Sequence, residues 1–141
     1  MERFFEVALK EANKAKSKNE VPVGAVLVKK GKIIAKSYNN RQKKHRFFGH
    51  AEINCILRAE KRIKDWRLDD CELYVTLEPC EMCKVFIEES RIKTVYYLLS
   101  QKKCEKIEKN VEFIQTNDCD KLLKEYENTL NDFFQKLRNK S

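Results

Sequence analysis

The chain has 141 residues, of which 42% are apolar, and this size fits a single domain over residues 1–141 with one core. Its net charge of +8 favours an anionic partner such as nucleic acid, or else only keeps the protein in solution. No apolar run is long enough to cross a membrane, and the first residues lack the apolar core of a secretory signal, so we expect a cytoplasmic protein without a membrane partner.

Hydrophobic periodicity predicts a helix followed by a β-hairpin in the first part of the chain. Apolar residues at three- and four-residue spacing predict the helix over residues 3–18. Two runs rich in valine and isoleucine, 21–28 and 33–38, flank the turn 29–32 and predict two paired strands. A polar, basic loop is expected over residues 39–49.

The rest of the chain is predicted to alternate between helices and strands. A helix over 50–62 should direct Ile53, Ile56 and Leu57 inward. The further predicted elements are a strand over 71–77, a helix over 78–90, a strand over 93–99, a weaker strand over 111–114 and a helix over 119–138. This order predicts an α/β fold in which one sheet carries helices on both faces.

Cys80 and Cys83 form the strongest candidate for part of a metal site. The chain has six cysteines and shows no secretory signal, so reduced thiols or a metal site are favoured over disulfides. The two residues follow Pro79 at a predicted helix start, where three-residue spacing aligns both sulfurs and the helix N-terminus favours thiolates. A C-x-x-C pair alone is a weak signal, and chance, redox or structural roles remain open.

A histidine is needed to complete this site. His50 is a better candidate than His45, because His50 also stands at a predicted helix start. Two cysteines and one histidine make three ligands, the number found in catalytic zinc sites, whereas structural sites usually have four. None of the other cysteines has a spacing that supports a fourth ligand, although each is a candidate; they are Cys55, Cys71, Cys104 and Cys119.

Glu52 lies two residues after His50, a spacing that places side chains on different faces of a helix. At a helix N-terminus both side chains can reach the same region from the helix end. There a carboxylate beside a zinc-activated water can take up its proton and deliver it to a ring nitrogen. The alternative is that Glu52 only complements the helix dipole.

The triplet His-Ala-Glu at 50–52, separated by 26 residues from Pro-Cys-x-x-Cys at 79–83, is the pattern of zinc-dependent nucleoside and nucleobase deaminases. The first two thirds of the chain resemble the bacterial tRNA-specific adenosine deaminases in particular. The matching segments are ALKEA (8–12), EVPVGAVLV (20–28), YNN (38–40), HAEI (50–53), LYVTLEPCEMC (73–83) and SRIKTVYY (90–97).

The resemblance implies a three-layer α/β/α cytidine-deaminase-like fold with a mixed five-stranded sheet, assembled as a homodimer. It implies one zinc ion per subunit on His50, Cys80 and Cys83, with Glu52 as the proton shuttle. The implied reaction is hydrolytic deamination of adenosine to inosine at the wobble position of a tRNA anticodon, with Asn39 hydrogen-bonding the target base.

We expect the base pocket to be lined by Val23, Gly24 and Ala25, with Gly24 allowing the base to approach the backbone closely.

Two segments depart from the family pattern. Residues 46–49 read Arg-Phe-Phe-Gly where the family usually has Asp-Pro-x-Ala, so Arg46 could meet a phosphate and Phe47 or Phe48 could stack on a base. Equally, the two aromatic residues could pack against the core or a partner subunit. Only residues 100–110 separate the fourth and fifth predicted strands, where the family normally has a longer segment that helps to hold RNA.

These departures leave two alternative functions open. The first is deamination of a free nucleobase or nucleoside of the guanine or cytosine type. The second is a non-catalytic RNA-binding subunit with a structural zinc, for which the expected mark would be a missing glutamate at position 52.

Overall fold

A computed structural model describes residues 1–44, 49–101 and 110–139. These residues form helices on both sides of one sheet. In chain order the elements are helix α1 (Glu2–Ser17), strand β1 (Gly24–Lys29), strand β2 (Lys32–Tyr38), the one-turn helix α2 (Arg41–Lys44), helix α3 (Ala51–Ile63), strand β3 (Cys71–Leu77), helix α4 (Glu81–Glu89), strand β4 (Thr94–Leu99), strand β5 (Glu112–Gln115) and helix α5 (Asp120–Asn139).

The five strands form a mixed sheet in the order β2-β1-β3-β4-β5. Strand β1 is antiparallel to both β2 and β3, whereas β3, β4 and β5 run parallel to one another. The parallel step from β3 to β4 is made through α4, which fits the need of parallel strands for a crossover connection. This confirms the predicted mixed five-stranded sheet.

Alternate residues of the central strands face two separate cores. Ala25, Leu27 and Val75 point to the layer formed by α3 and α4, where Ile56 and Ile87 are also fully buried. The opposite layer is formed by α1 and α5, and it buries Val26, Val28 and Tyr74 of the sheet together with Phe5, Leu122 and Tyr126. The period of two along each strand therefore produces the three-layer α/β/α architecture.

The order of the predicted elements is confirmed, with one addition and one corrected orientation. Residues 41–44 of the predicted loop form α2. Leu57, predicted to face inward, is 42% exposed, while Ile53 and Ile56 are buried. The buried stripe of α3 runs through Cys55, Ile56 and Ala59, which leaves Leu57 on the outer flank of the helix.

Helix α4 begins later than the predicted residue 78. Glu78 directly follows β3 and still pairs with β4, because its backbone N–H donates to the Leu99 carbonyl at 2.8 Å. A residue before proline disfavours the helical conformation, and Cys80 is itself extended, with φ −71° and ψ 170°. Cys80 is therefore the N-cap of α4 and Cys83 occupies its first turn.

No helix in the described part of the chain combines the length and apolar composition that a membrane crossing needs.

Candidate active site

Two helix starts converge at the carboxyl end of β3. His50 is the N-cap of α3 and Cys80 is the N-cap of α4, and both residues have extended backbone conformations. An N-cap side chain usually accepts a hydrogen bond from its own helix, but neither of these side chains does so. Both are therefore available to bind something else.

His50, Cys80 and Cys83 are arranged like the protein ligands of a zinc ion. The His50 Nδ1 atom lies 3.7 Å from the Cys80 Sγ and 3.3 Å from the Cys83 Sγ. All three ligand atoms lie within 4.8 Å of one another. Ordinary Zn–N and Zn–S bond lengths at a tetrahedral angle place nitrogen and sulfur about 3.6 Å apart. The donor set and its spacing therefore fit zinc.

The three ligands also influence one another's protonation. The hydrogen bond with Cys83 and then that with His50 lower the pKa of Cys80 to about 4. The hydrogen bond with Cys80 raises the pKa of His50, and the bond with Cys80 together with burial raises the pKa of Cys83. Cys80 is therefore readily present as a thiolate. A divalent cation bound between the two sulfurs would also favour the thiolate form of Cys83.

None of the other described cysteines joins this group. Cys55, Cys71 and Cys119 are buried elsewhere, and burial raises the pKa of each, which keeps them as thiols. Cys104 and the alternative ligand His45 lie outside the described residues. Within the described part of the chain, the candidate metal group consists of His50, Cys80 and Cys83, and three is the number of protein ligands typical of catalytic zinc.

Glu52 shares a cavity with the metal group. The cavity has a volume of about 140 Å³ and is lined by Val21, Val23, Asn39, Arg41, His50, Ala51, Glu52, Leu77, Glu78, Cys80 and Gln101. The Glu52 side chain is only 4% exposed, and burial raises its pKa to about 6. A carboxyl group with a pKa near neutrality suits the uptake and release of protons.

The predicted pocket residues divide into two groups. Val23 and Asn39 line the cavity, whereas Gly24 and Ala25 are not on its wall. A Cβ atom at Gly24 would lie 1.9 Å from the Ala8 carbonyl oxygen, so the missing side chain admits helix α1 rather than a base. Ala25 is fully buried in the core beneath α3. The predicted roles of Gly24 and Ala25 are therefore corrected.

The remaining predicted contacts, Arg46, Phe47 and Phe48, lie outside the described residues, as does most of the shortened 100–110 segment.

Comparison with known proteins agrees with this geometry. Residues 1–99 match the family described as the cytidine and deoxycytidylate deaminase zinc-binding region. The chain is 46% identical over 114 residues to the tRNA-specific adenosine deaminase of Rickettsia bellii, covering 79% of each chain. The chain belongs to the tRNA-specific adenosine deaminase family.

Two solved structures show the same fold. One comes from a study of A-to-I editing by tRNA:A34 deaminases, with a TM-score of 0.76 and 34% identity, covering 81% of this chain and 97% of that one. The other is the guanine deaminase of Bacillus subtilis, with a TM-score of 0.67 and 29% identity, covering 90% of this chain and 93% of that one. The cytidine-deaminase-like fold expected from the motifs is confirmed.

In this family member, the start of α4 is held by a buried carboxylate, Glu78, for which the sequence predicts no role. The Glu78 Oε1 atom accepts hydrogen bonds from the Ser100 hydroxyl at 2.9 Å and from the Gln101 backbone N–H at 3.0 Å. Its Oε2 atom lies 3.4 Å from the ammonium group of the equally buried Lys84. The only signal in the sequence is an acidic residue directly before Pro79, which by itself indicates no partner.

Arg41 and Gln101 also line the cavity without having been predicted to do so. Arg41 opens the short helix α2, and Gln101 donates through its side chain to the Glu78 carbonyl at 2.8 Å. Both residues stand in polar segments of the sequence, where no periodic pattern distinguishes a residue that faces the cavity from one that faces solvent.

Proposed function

We propose that the chain is a zinc-dependent hydrolase that converts adenosine to inosine at the wobble position of a tRNA anticodon in the cytoplasm. The observation that carries this proposal is the cluster of His50, Cys80 and Cys83 beside a cavity that His50, Cys80 and the buried Glu52 line together. The identity to tRNA-specific adenosine deaminases supports adenosine in tRNA as the substrate. The proposed enzyme is a single deaminase domain.

His50, Cys80 and Cys83 would hold one zinc ion per subunit. When bound, zinc makes a water molecule nucleophilic near neutral pH.

Glu52 is the proposed proton carrier of the reaction. Hydrolysis replaces the amino group at C6 of adenosine with the oxygen of water and releases ammonia. The Glu52 carboxylate accepts one proton from the attacking water and donates it to N1 of the purine. It then carries the remaining proton of the new C6 hydroxyl group to the amino group, so that the C6 carbonyl forms and the C–N bond breaks to release ammonia. Its near-complete burial excludes bulk water from these transfers and keeps its pKa close to the range in which both steps are efficient.

Asn39 is the proposed contact to the base. It is 6% exposed and lies on the cavity wall, with its backbone N–H held by the Val23 carbonyl at 3.1 Å. A carboxamide offers both a donor and an acceptor, which suits the edge of a purine. Val23 would lie against the ring as an apolar surface. The target adenosine must leave the base stack to reach these groups.

Two observations favour an RNA substrate over a free base. Arg41 places a permanent positive charge on the cavity wall, and the chain as a whole carries a net charge of +8. In structural alignments the identity is 34% to the tRNA:A34 deaminase and 29% to the guanine deaminase. The non-catalytic alternative is not favoured either, because Glu52 is present and faces the metal group.

The deciding experiment is an inosine assay on an anticodon stem-loop that begins its anticodon with adenosine. Zinc-loaded protein should convert this RNA, and a matched stem-loop with guanosine at that position should not react. Free adenosine, guanine and cytosine should be turned over at least about a hundredfold less efficiently, since they lack the binding energy of the flanking phosphates. Absence of inosine with stoichiometric zinc would refute the proposal.

A homodimer is proposed on the outer face of α3 and α4. Leu57, Met82 and Val85 are 42%, 37% and 56% exposed, and a concavity of about 560 Å³ beside them is lined mainly by apolar surface. Neighbouring apolar side chains of this kind are typical of protein interfaces. Sedimentation should give twice the chain mass, and Val85→Lys should give a monomer. A monomeric wild-type protein at micromolar concentration would contradict this assembly.

A further inference from the structure

Helix α3 is attached to the edge of the sheet by a row of three side chains. The Asn54 amide group donates to the Tyr38 carbonyl at 3.1 Å, the Arg58 guanidinium to the Lys36 carbonyl at 2.9 Å, and the Arg62 guanidinium to the Ile34 carbonyl at 3.0 Å. The donors follow one another at four-residue intervals along the helix. The acceptors follow at two-residue intervals along β2, in the opposite direction.

The two repeats match in length. Four residues of an α-helix rise about 6 Å, and two residues of a strand rise about 6.6 Å. Strand β2 is an edge strand of the sheet, so carbonyl groups on its outer side have no neighbouring strand to bind. The row therefore satisfies alternate carbonyls of β2 and sets the position of α3 along the strand.

Asn54 differs from the two arginines because it makes a second bond. Its amide group also donates to the Asn40 Oδ1 atom at 2.8 Å. Asn54 thus binds the Tyr38 backbone and the Asn40 side chain. Asn39, the proposed base contact, lies between these two residues.

The segment that follows Asn39 also contacts the residue that precedes His50. The Asn40 N–H donates to the Gly49 carbonyl at 2.8 Å. A Cβ atom at Gly49 would lie 2.8 Å from the Asn40 Oδ1 and from the backbone of Arg41. Asn40, which follows Asn39, and Gly49, which precedes His50, are therefore in direct contact beside the side chain of Asn54.

Asn54 also belongs to the first part of the metal-binding helix. Its backbone N–H donates to the His50 carbonyl at 3.0 Å, one helical turn away. A displacement of Asn54 relative to β2 would change the distance between His50 and Asn39. In a reaction that requires the base and the proton carrier to be aligned, such a displacement lowers the rate.

We propose that Asn54 is a positioning residue that sets the distance between the base-binding Asn39 and the helix start that carries His50 and Glu52. It acts through the Tyr38–Asn40 backbone and does not touch the substrate. The inference rests on the proposed function as far as the role of Asn39 is concerned.

The test compares Asn54→Leu with Arg58→Met, which removes a neighbouring bond of the same row away from the cavity. Asn54→Leu should lower kcat/KM for the stem-loop about tenfold, with zinc content unchanged, whereas Arg58→Met should change it less than about twofold. In an Asn39→Ala background, Asn54→Leu should cost less than about twofold further, because its effect acts through Asn39. Asn40→Ala, which removes the second acceptor, should reproduce part of the Asn54→Leu defect.

A second measurement does not depend on catalysis. Amide hydrogen exchange at Asn40 should be about tenfold faster in Asn54→Leu than in the wild type, and unchanged in Arg58→Met. The proposal would be overturned if Asn54→Leu and Arg58→Met lowered kcat/KM equally. It would also be overturned by a full further loss of kcat/KM in the Asn39→Ala background, or by unchanged amide exchange at Asn40. A wild-type protein that forms no inosine would refute the proposed function, and the exchange measurement would still decide whether Asn54 holds the strand.

Discussion

The two helices that carry the candidate metal ligands begin alike but are held by different means. Each has a candidate ligand at its N-cap, His50 in α3 and Cys80 in α4, and each has a glutamate in its first turn. The start of α3 is attached to edge strand β2 through the neutral side chain of Asn54. The start of α4 is attached to the end of β4 through the buried carboxylate of Glu78.

The two first-turn glutamates show why position on a helix does not determine a role. Glu52 is 4% exposed and lines the cavity, whereas Glu81 is exposed and is not among the residues that line it. Both stand in the first turn of a helix, where a carboxylate complements the helix dipole. Only the one that the fold buries beside the metal group has the environment of a proton carrier.

The largest expected effect comes from removing a ligand at the start of α4. Cys83→Ala should reduce zinc from one equivalent to near zero and abolish inosine formation, because two protein ligands bind zinc weakly. The matched control is Cys55→Ala, which also truncates a fully buried thiol but one that lies outside the metal group. The control should lose some stability and keep its zinc, as measured by elemental analysis after dialysis. Retention of zinc by Cys83→Ala would exclude it as a ligand.

The comparison of the two glutamates predicts the next largest effect. Glu52→Ala should lower kcat about a thousandfold or more while zinc is retained, since general acid–base groups contribute on that order. Glu81→Ala should leave kcat nearly unchanged, because its side chain is exposed and lies off the cavity wall. Single-turnover inosine formation measures both. Comparable losses in the two variants would show that the helix dipole, and not proton transfer, is the relevant contribution.

The attachment of α4 can be tested through the buried ion pair. Glu78→Ala should lower the free energy of unfolding by about 3 kcal/mol, because it leaves the buried Lys84 ammonium group without its carboxylate. The combined variant Glu78→Ala with Lys84→Met should recover part of this loss. Asp132→Ala, which breaks an exposed ion pair with Lys16, should have a smaller effect. Urea unfolding of the zinc-loaded protein gives all three values, and a negligible loss in Glu78→Ala would contradict the attachment.

The attachment of α3 predicts the smallest effect. Gly49→Ala should lower the free energy of unfolding by about 2 kcal/mol, because its Cβ atom would meet the Arg41 backbone and the Asn40 side chain at 2.8 Å. Gly31→Ala is the control, since nothing lies within 4 Å of a Cβ atom there and only its positive φ of 78° opposes the change. The control should lose about 1 kcal/mol, the cost of the left-handed conformation alone, and Gly49→Ala should lose more. Equal losses would show that α3 is not tightly packed at its start.

Much of the fold could be predicted because its signals are local. The spacing of apolar residues indicates each helix and strand, and their alternation indicates a sheet covered on both faces. The errors lie where local patterns are ambiguous. Leu57 is four residues from Ile53 and fits an inward stripe, but the packing of α3 turns it outward. The start of α4 moved from 78 to 81 because Glu78 pairs with β4, a strand that comes later in the chain.

The candidate site was predictable only where the residue type itself limits the chemistry. The His-Ala-Glu and Pro-Cys-x-x-Cys motifs indicate three candidate metal ligands and a carboxylic acid, a combination that few other sites share. The structure brings these four residues, His50, Glu52, Cys80 and Cys83, together. Gly24 was misassigned because a glycine indicates that another group approaches the backbone closely, but it does not identify that group. The contact turned out to be the backbone of α1.

The sequence by itself determined the order of the elements, the three candidate ligands and the candidate proton carrier, since these depend on residue type and short spacing. Only the tertiary structure decided which of two first-turn glutamates is buried, which cysteines meet a histidine, and how Glu78 and Asn54 hold the two helix starts. The physical reason is that burial and hydrogen-bond partners arise between segments far apart in the chain. Asn54 meets Tyr38 and Asn40, and Glu78 meets Ser100, across separations that no local pattern records.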